Sequence, residues 1–134
     1  MTYSVTIDQK PAYLHAVVTG RNTRENVTRY MDDIVRECEN RKCLRVLIEE
    51  RLEGPRLETL DVFQMVEEGS KRLRMKLQAI AYVDANAHGD SMKFAETVAV
   101  NRGFPVAVFA TVAEAERWLH DRHRTDNGTP ADAR

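Results

Sequence analysis

Between Cys43 and Met75 the apolar residues change period once, and that change constrains the fold more than any other feature of the chain. Leu44, Val46 and Ile48 alternate with Cys43, Arg45, Leu47 and Glu49, which is the period-two pattern of a strand. Glu53-Gly54-Pro55 then interrupts the run, because glycine relaxes backbone limits and proline fixes φ. From Leu57 the period becomes helical: Leu57, Leu60, Phe63, Val66 and Leu73 form one stripe, the pattern of a helix laid on a core. The spacing therefore predicts a strand over Cys43–Glu49, a charged loop over Glu50–Arg56 and a helix over Leu57–Met75. Val62 and Met65 lie off the main stripe, so the apolar face of this helix is broader than one contact needs. Gly69-Ser70 in its middle weakens it by roughly 1 kcal/mol relative to alanine.

The same alternation of patterns repeats along the chain. Tyr3, Val5 and Ile7 alternate with Ser4, Thr6 and Asp8. After the turn Gln9-Lys10-Pro11, Ala12 to Thr19 forms a second strand, and so short a turn implies an antiparallel hairpin. Asn22-Thr-Arg-Glu25 reads as a capping box opening a helix through Val27, Tyr30, Met31, Ile34, Val35 and Cys38. Leu77–Asp84 is a fourth strand, and Asp90 or Ser91 caps a helix lined by Met92, Ala95, Val98 and Ala99. Pro105–Ala110 is a fifth strand, and Thr111-Val-Ala-Glu114 caps a last helix with Ala115, Trp118 and Leu119 inward. Residues 121–134 contain no apolar residue beyond alanine and read as a disordered tail, which leaves 1–120 as one domain.

The resulting order, ββαβαβαβα, predicts an α/β fold: a five-stranded, mostly parallel sheet that begins with an antiparallel hairpin. Adding strands in one direction puts the helices mainly on one face. The other face, carrying Tyr13, Leu47, Ile80 and Tyr82 beside polar residues, is a candidate docking or homodimer surface.

A chain of 134 residues suffices for one core, and its formal net charge of −1 gives no global attraction for nucleic acid or an anionic membrane. The first residues carry no basic region followed by an apolar run, and no stretch approaches the roughly 18 apolar residues of a membrane span. A cytoplasmic protein is expected. Cys38 and Cys43 form no CxxC motif and have no neighbouring histidine, so two reduced thiols packed as small hydrophobes are expected. There is no P-loop, GxGxxG, GxSxG or HExxH sequence, and no cofactor is implied.

Tyr13–Gly20, Leu47-Ile-Glu-Glu50 with Gly54-Pro55 behind it, Ile80-Ala-Tyr-Val-Asp84 and above all Phe109–Leu119 resemble the SpoIIAA-like family of the STAS superfamily, which is grouped with Sec14-type lipid-binding domains. The resemblance spans nearly everything from Tyr3 to Leu119. It implies a βα superhelix and a non-enzymatic domain that regulates a partner or senses a ligand. In anti-sigma-factor antagonists of this superfamily, a serine at the start of the helix after the central strand is phosphorylated. Here Glu50–Arg56 holds no serine or threonine, so that switch has no counterpart.

Three candidate sites follow. Ligands of parallel sheets sit off the carboxyl ends of the strands. There, Arg51, Arg56 and the helix start at Ser91 could receive an anionic head, with an apolar tail along Val62 and Met65. Alternatively Glu49, Glu50, Glu53, Asp84, His88 and Asp90 form an acidic rim that could serve a metal-dependent hydrolase, although their spacing matches no metal motif. The third candidate is a structural homodimerisation module built on Tyr13, Leu47, Ile80 and Tyr82.

Overall fold

The computed structural model describes residues 3–54, 64, 68, 77–84, 90–101 and 105–126, with only the backbone of residues 90, 91, 95 and 122–126. Five strands, β1 (Tyr3–Gln9), β2 (Leu14–Arg21), β3 (Arg45–Glu53), β4 (Ala79–Val83) and β5 (Val106–Phe109), form one sheet in sequence order. β1 and β2 pair antiparallel, and every later pair is parallel. Three described helices accompany them: α1 (Arg24–Asn40), α2 (Asp90–Asn101) and α3 (Val112–Asp126). This is the α/β architecture that the pattern of elements implies. The expected helix over Leu57–Met75 lies outside the described residues, except that Gln64 and Glu68 are helical. Both accept from the Arg24 guanidinium at the start of α1.

Two cores hold the sheet, one per face. On the first, Leu14, Ala16 and Val18 of β2, Val46 and Ile48 of β3 and Ile80 of β4 meet Tyr30, Ile34, Val35 and Cys38 of α1. On the second, Leu47, Ala79, Ala81 and Val83 meet Ala115 and Leu119 of α3, with Ala12 and Tyr13 closing one end. The last helix thus crosses to the face opposite α1. Strand alternation makes the division, since successive side chains point to opposite faces.

That division corrects one expectation. Val46 pairs with Ile80 and Ile48 with Tyr82, so Ile80 and Tyr82 share the α1 face rather than the face of Leu47. Tyr13 and Leu47 are buried, 3% and 0% exposed, beneath α3.

The element ends differ from the sequence reading. Thr23, not Asn22, is the N-cap of α1, and its Oγ1 accepts from the Asn26 N–H at 3.1 Å. Asn26 in turn donates through Nδ2 to the Arg21 carbonyl. β3 continues through Glu53 because β2 runs on beside it to Arg21, pairing Val18 with Glu50 and Gly20 with Leu52. The expected loop over 50–53 is therefore strand. α3 keeps its helical backbone to Asp126, past the expected start of the tail at Asp121. Its cap is the expected one: the Glu114 N–H donates to Thr111 Oγ1, and Thr111 Oγ1 to the Glu114 carboxylate.

The spacing of the two cysteines also finds its reason. The Cys43 N–H donates to the Cys38 carbonyl and the Lys42 N–H to the Glu39 carbonyl, with Lys42 left-handed at φ 55°. This is a Schellman ending, in which the residues at the two flanking positions touch through apolar side chains. Cys38 and Cys43 occupy those positions in the first core. Burial pushes the Cys38 thiol up to about 12, with Cys43 adding to the shift, so it stays protonated and packs as a hydrophobe.

Candidate functional site

The parallel register brings the carboxyl ends of β3 and β4 side by side, and the pleat then separates what the sequence had grouped. Glu49 and Glu50 are consecutive, so they leave β3 on opposite faces. Glu50 turns to the α1 side and Glu49 to the other. The acidic rim is two separate places.

On the α1 side, Tyr30 from α1 and Tyr82 from β4 converge on Glu50. The Tyr82 hydroxyl donates to Glu50 Oε2 at 2.6 Å, and Tyr30 lies 3.4 Å from the same oxygen. The two hydroxyls are hydrogen-bonded to each other. Two phenolic protons serve three contacts, so the short contacts define a chain in which Tyr30 donates to Tyr82 and Tyr82 to the carboxylate. Burial pushes both phenols well above their ordinary range. The Glu50 charge adds to both shifts, and Tyr82 is raised further by Tyr30. Both are held neutral, as hydrogen-bond donors rather than nucleophiles. Asp84, 4% exposed, closes the end of β4, its N–H donating to the Phe109 carbonyl at 3.0 Å. Its charge also reaches Tyr30.

On the α3 side, Glu49 is held between two strands. Arg51 donates to Oε2 from Nε at 2.9 Å and from Nη2 at 2.6 Å, and His15 Nε2 lies 3.0 Å from Oε1. Burial alone would raise the Glu49 carboxyl; the hydrogen bonds from Arg51 and His15 outweigh it, and the carboxyl lies below its ordinary value of 4.5. A depressed carboxyl means that the unfolded chain binds the proton more readily. The contribution is therefore present above about pH 4.5 and is lost as pH falls through the lowered folded value. Wild type should be more stable than Glu49→Gln near neutrality, and urea midpoints should converge on acidification below that point. A gap that stays constant with pH would show that the Glu49 ion pairs contribute nothing.

The remaining sequence candidates are dispersed. Arg51 belongs to the Glu49 cluster, on the face opposite Glu50. Glu53 is exposed, and its carbonyl accepts from the Asn22 N–H at 2.7 Å. Ser91 and Asp90 lie in the first turn of α2, with only their backbone described. Arg56, Val62, Met65 and His88 lie outside the described residues. Among the described residues, no three His, Cys, Asp or Glu side chains come together as a metal-ligand group. No described helix is long and apolar enough to cross a membrane.

Sequence reasoning missed the partnership of Tyr30 with Tyr82, having read Tyr30 as one more residue of the core stripe. The signal was the residue type, since a buried tyrosine needs a partner for its hydroxyl where phenylalanine does not. No model of a protein family matches the chain, and no curated protein matches it.

Proposed function

We propose that this chain is a non-enzymatic, STAS-like regulatory domain that binds an apolar, lipid-like molecule by its polar head at the carboxyl ends of β3 and β4. The observation that carries the reading is the chain of hydrogen bonds from Tyr30 through Tyr82 to Glu50. It lies where open parallel sheets receive ligands, and it offers polar recognition without an activated nucleophile. The sequential strand order, wound in one direction, agrees with the superhelix that the resemblance implies.

The chemistry of the cluster narrows the head group. Glu50 accepts hydrogen bonds and carries negative charge, so it suits a head rich in hydroxyl or ammonium donors. Of the groups expected to receive an anionic head, Arg51 is engaged with Glu49 on the opposite face.

The test is native mass spectrometry of freshly purified protein, followed by solvent extraction of whatever is bound. Wild type is expected to carry an adduct of lipid mass. Glu50→Gln, which keeps the shape and removes the charge, is expected to lose it while melting cooperatively. A bare apo mass for wild type, together with no rise in melting temperature on adding monoacylglycerol or sphingosine, would sink the proposal.

A further inference from the structure

The two edges of the sheet differ in how they are finished. β5 has four residues, and Glu96 of α2 reaches to it, Oε2 accepting from the Val108 N–H at 2.8 Å. β1 has seven residues, with no proline, lysine or arginine among them. Edge strands expose backbone donors and acceptors, and proteins ordinarily blunt them with charge, proline or a covering group. β5 has such a cover. β1 carries only Asp8.

The hairpin identifies which groups of β1 face outward. The Lys10 N–H donates to the Tyr13 carbonyl at 2.9 Å, in register with Asp8 opposite His15, Thr6 opposite Val17 and Ser4 opposite Thr19. Antiparallel pairs alternate between bonded and non-bonded. These pairs are therefore the bonded ones, and Tyr3, Val5, Ile7 and Gln9 turn their N–H and C=O groups away from β2. Among the described residues no backbone group meets them. The side chains of Tyr3, Val5 and Ile7 are half-buried at the border of the first core, and among the described residues nothing covers the outer flank of that apolar row.

The geometry points to a two-fold homodimer in which β1 pairs antiparallel with β1 of a second copy, Thr6 on the axis and Val5 opposite Ile7. Thr6 is the middle residue of β1, so this register pairs the whole strand. Tyr3 meets Gln9 and Val5 meets Ile7, each exchanging both of its outward hydrogen bonds. Moving the axis to Val5 or Ile7 leaves an end of each strand unpaired. On the polar face Ser4 stands opposite Asp8, so no two carboxylates oppose each other, and the Thr6 side chains form a close threonine pair. On the apolar face Val5 and Ile7 of the two copies cover one another. The strand is thus complementary to itself in sequence as well as in backbone, which selects a second copy as its occupant. The surface is separate from the ligand rim and independent of the function proposed above.

Sedimentation velocity over a concentration series should give a species of twice the 15.4 kDa chain mass. Ile7→Pro removes an N–H that serves only the outer edge, so it should give a monomer with an unchanged circular dichroism spectrum. Thr6→Lys, whose side chain is exposed in the single chain, should raise the dimer Kd several-fold by setting two ammonium groups face to face. Register is read by cross-linking with oxidised glutathione. Thr6→Cys places its thiols across the axis at a separation a disulfide can span and should link the copies, whereas Ser4→Cys should not. A wild type that stays monomeric throughout overturns the proposal, as does a dimer in which Thr6→Cys links no faster than Ser4→Cys.

Discussion

Leu47→Asp is expected to abolish cooperative folding. Leu47 is fully buried, enclosed by Ala79, Ala81 and Val83 of the sheet and by Ala115 and Leu119 of α3. Removing such a side chain alone costs about 2–5 kcal/mol, and an unpaired buried carboxylate adds several more. The sum is comparable to the whole stability of a small domain, roughly 5–15 kcal/mol. Leu47→Ala should retain a two-state urea transition, weakened by about 2–5 kcal/mol. If Leu47 lay on an open docking face, aspartate there would change stability by no more than about 0.5 kcal/mol and would alter association instead. Urea unfolding of the two variants separates these outcomes.

Tyr30→Ala is expected to be the second large loss, about 3–5 kcal/mol, because the ring is fully buried among the α1-side residues of the sheet. Tyr30→Phe keeps the ring and removes only the hydroxyl. It should cost about 0.5–1.5 kcal/mol, the net contribution of one hydrogen bond. Tyr82→Phe interrupts the chain at the donor nearest Glu50. The two phenylalanine variants should therefore be non-additive in a double-mutant cycle, since they share one chain of hydrogen bonds. Strict additivity, or no cost for either phenylalanine, would mean that the cluster carries no energy of its own.

Much of the fold was legible because its signals are local. The alternation of Tyr3, Val5 and Ile7, the short turn after Gln9 and the cap at Thr111 each act over a few residues. Two of the misreadings share a cause, in that each depended on a distant partner. β3 runs through Glu50–Glu53 because β2 extends to Arg21 alongside it, a fact absent from the charged segment itself. The faces of β4 could not be assigned from its own pattern, since Ala79, Ala81 and Val83 are as apolar as Ile80 and Tyr82. Only the register against β3 distributes them. The end of α1 carries a left-handed lysine, Lys42, where glycine is the usual marker. The carboxyl ends of the strands were legible as the place where Glu50 and Asp84 lie; the hydrogen-bonded cluster there is a different matter. The partnership of Tyr30, Glu50 and Tyr82 was not legible, because they come from three separate elements.

The position of α3 has a consequence for the chain while it is being made. Synthesis proceeds from the amino terminus, and the residues that close the second core, Ala115 and Leu119, are among the last of the domain to leave the ribosome. Until they emerge, a growing polypeptide that has already built β1 to β5 holds Leu47, Ala79, Ala81 and Val83 without the helix residues that pack against them. During that interval the nascent protein is a natural client for chaperones that hold exposed apolar surface. A message truncated before Thr111 yields a product whose fate is decided by that bare face, however well its other core is formed.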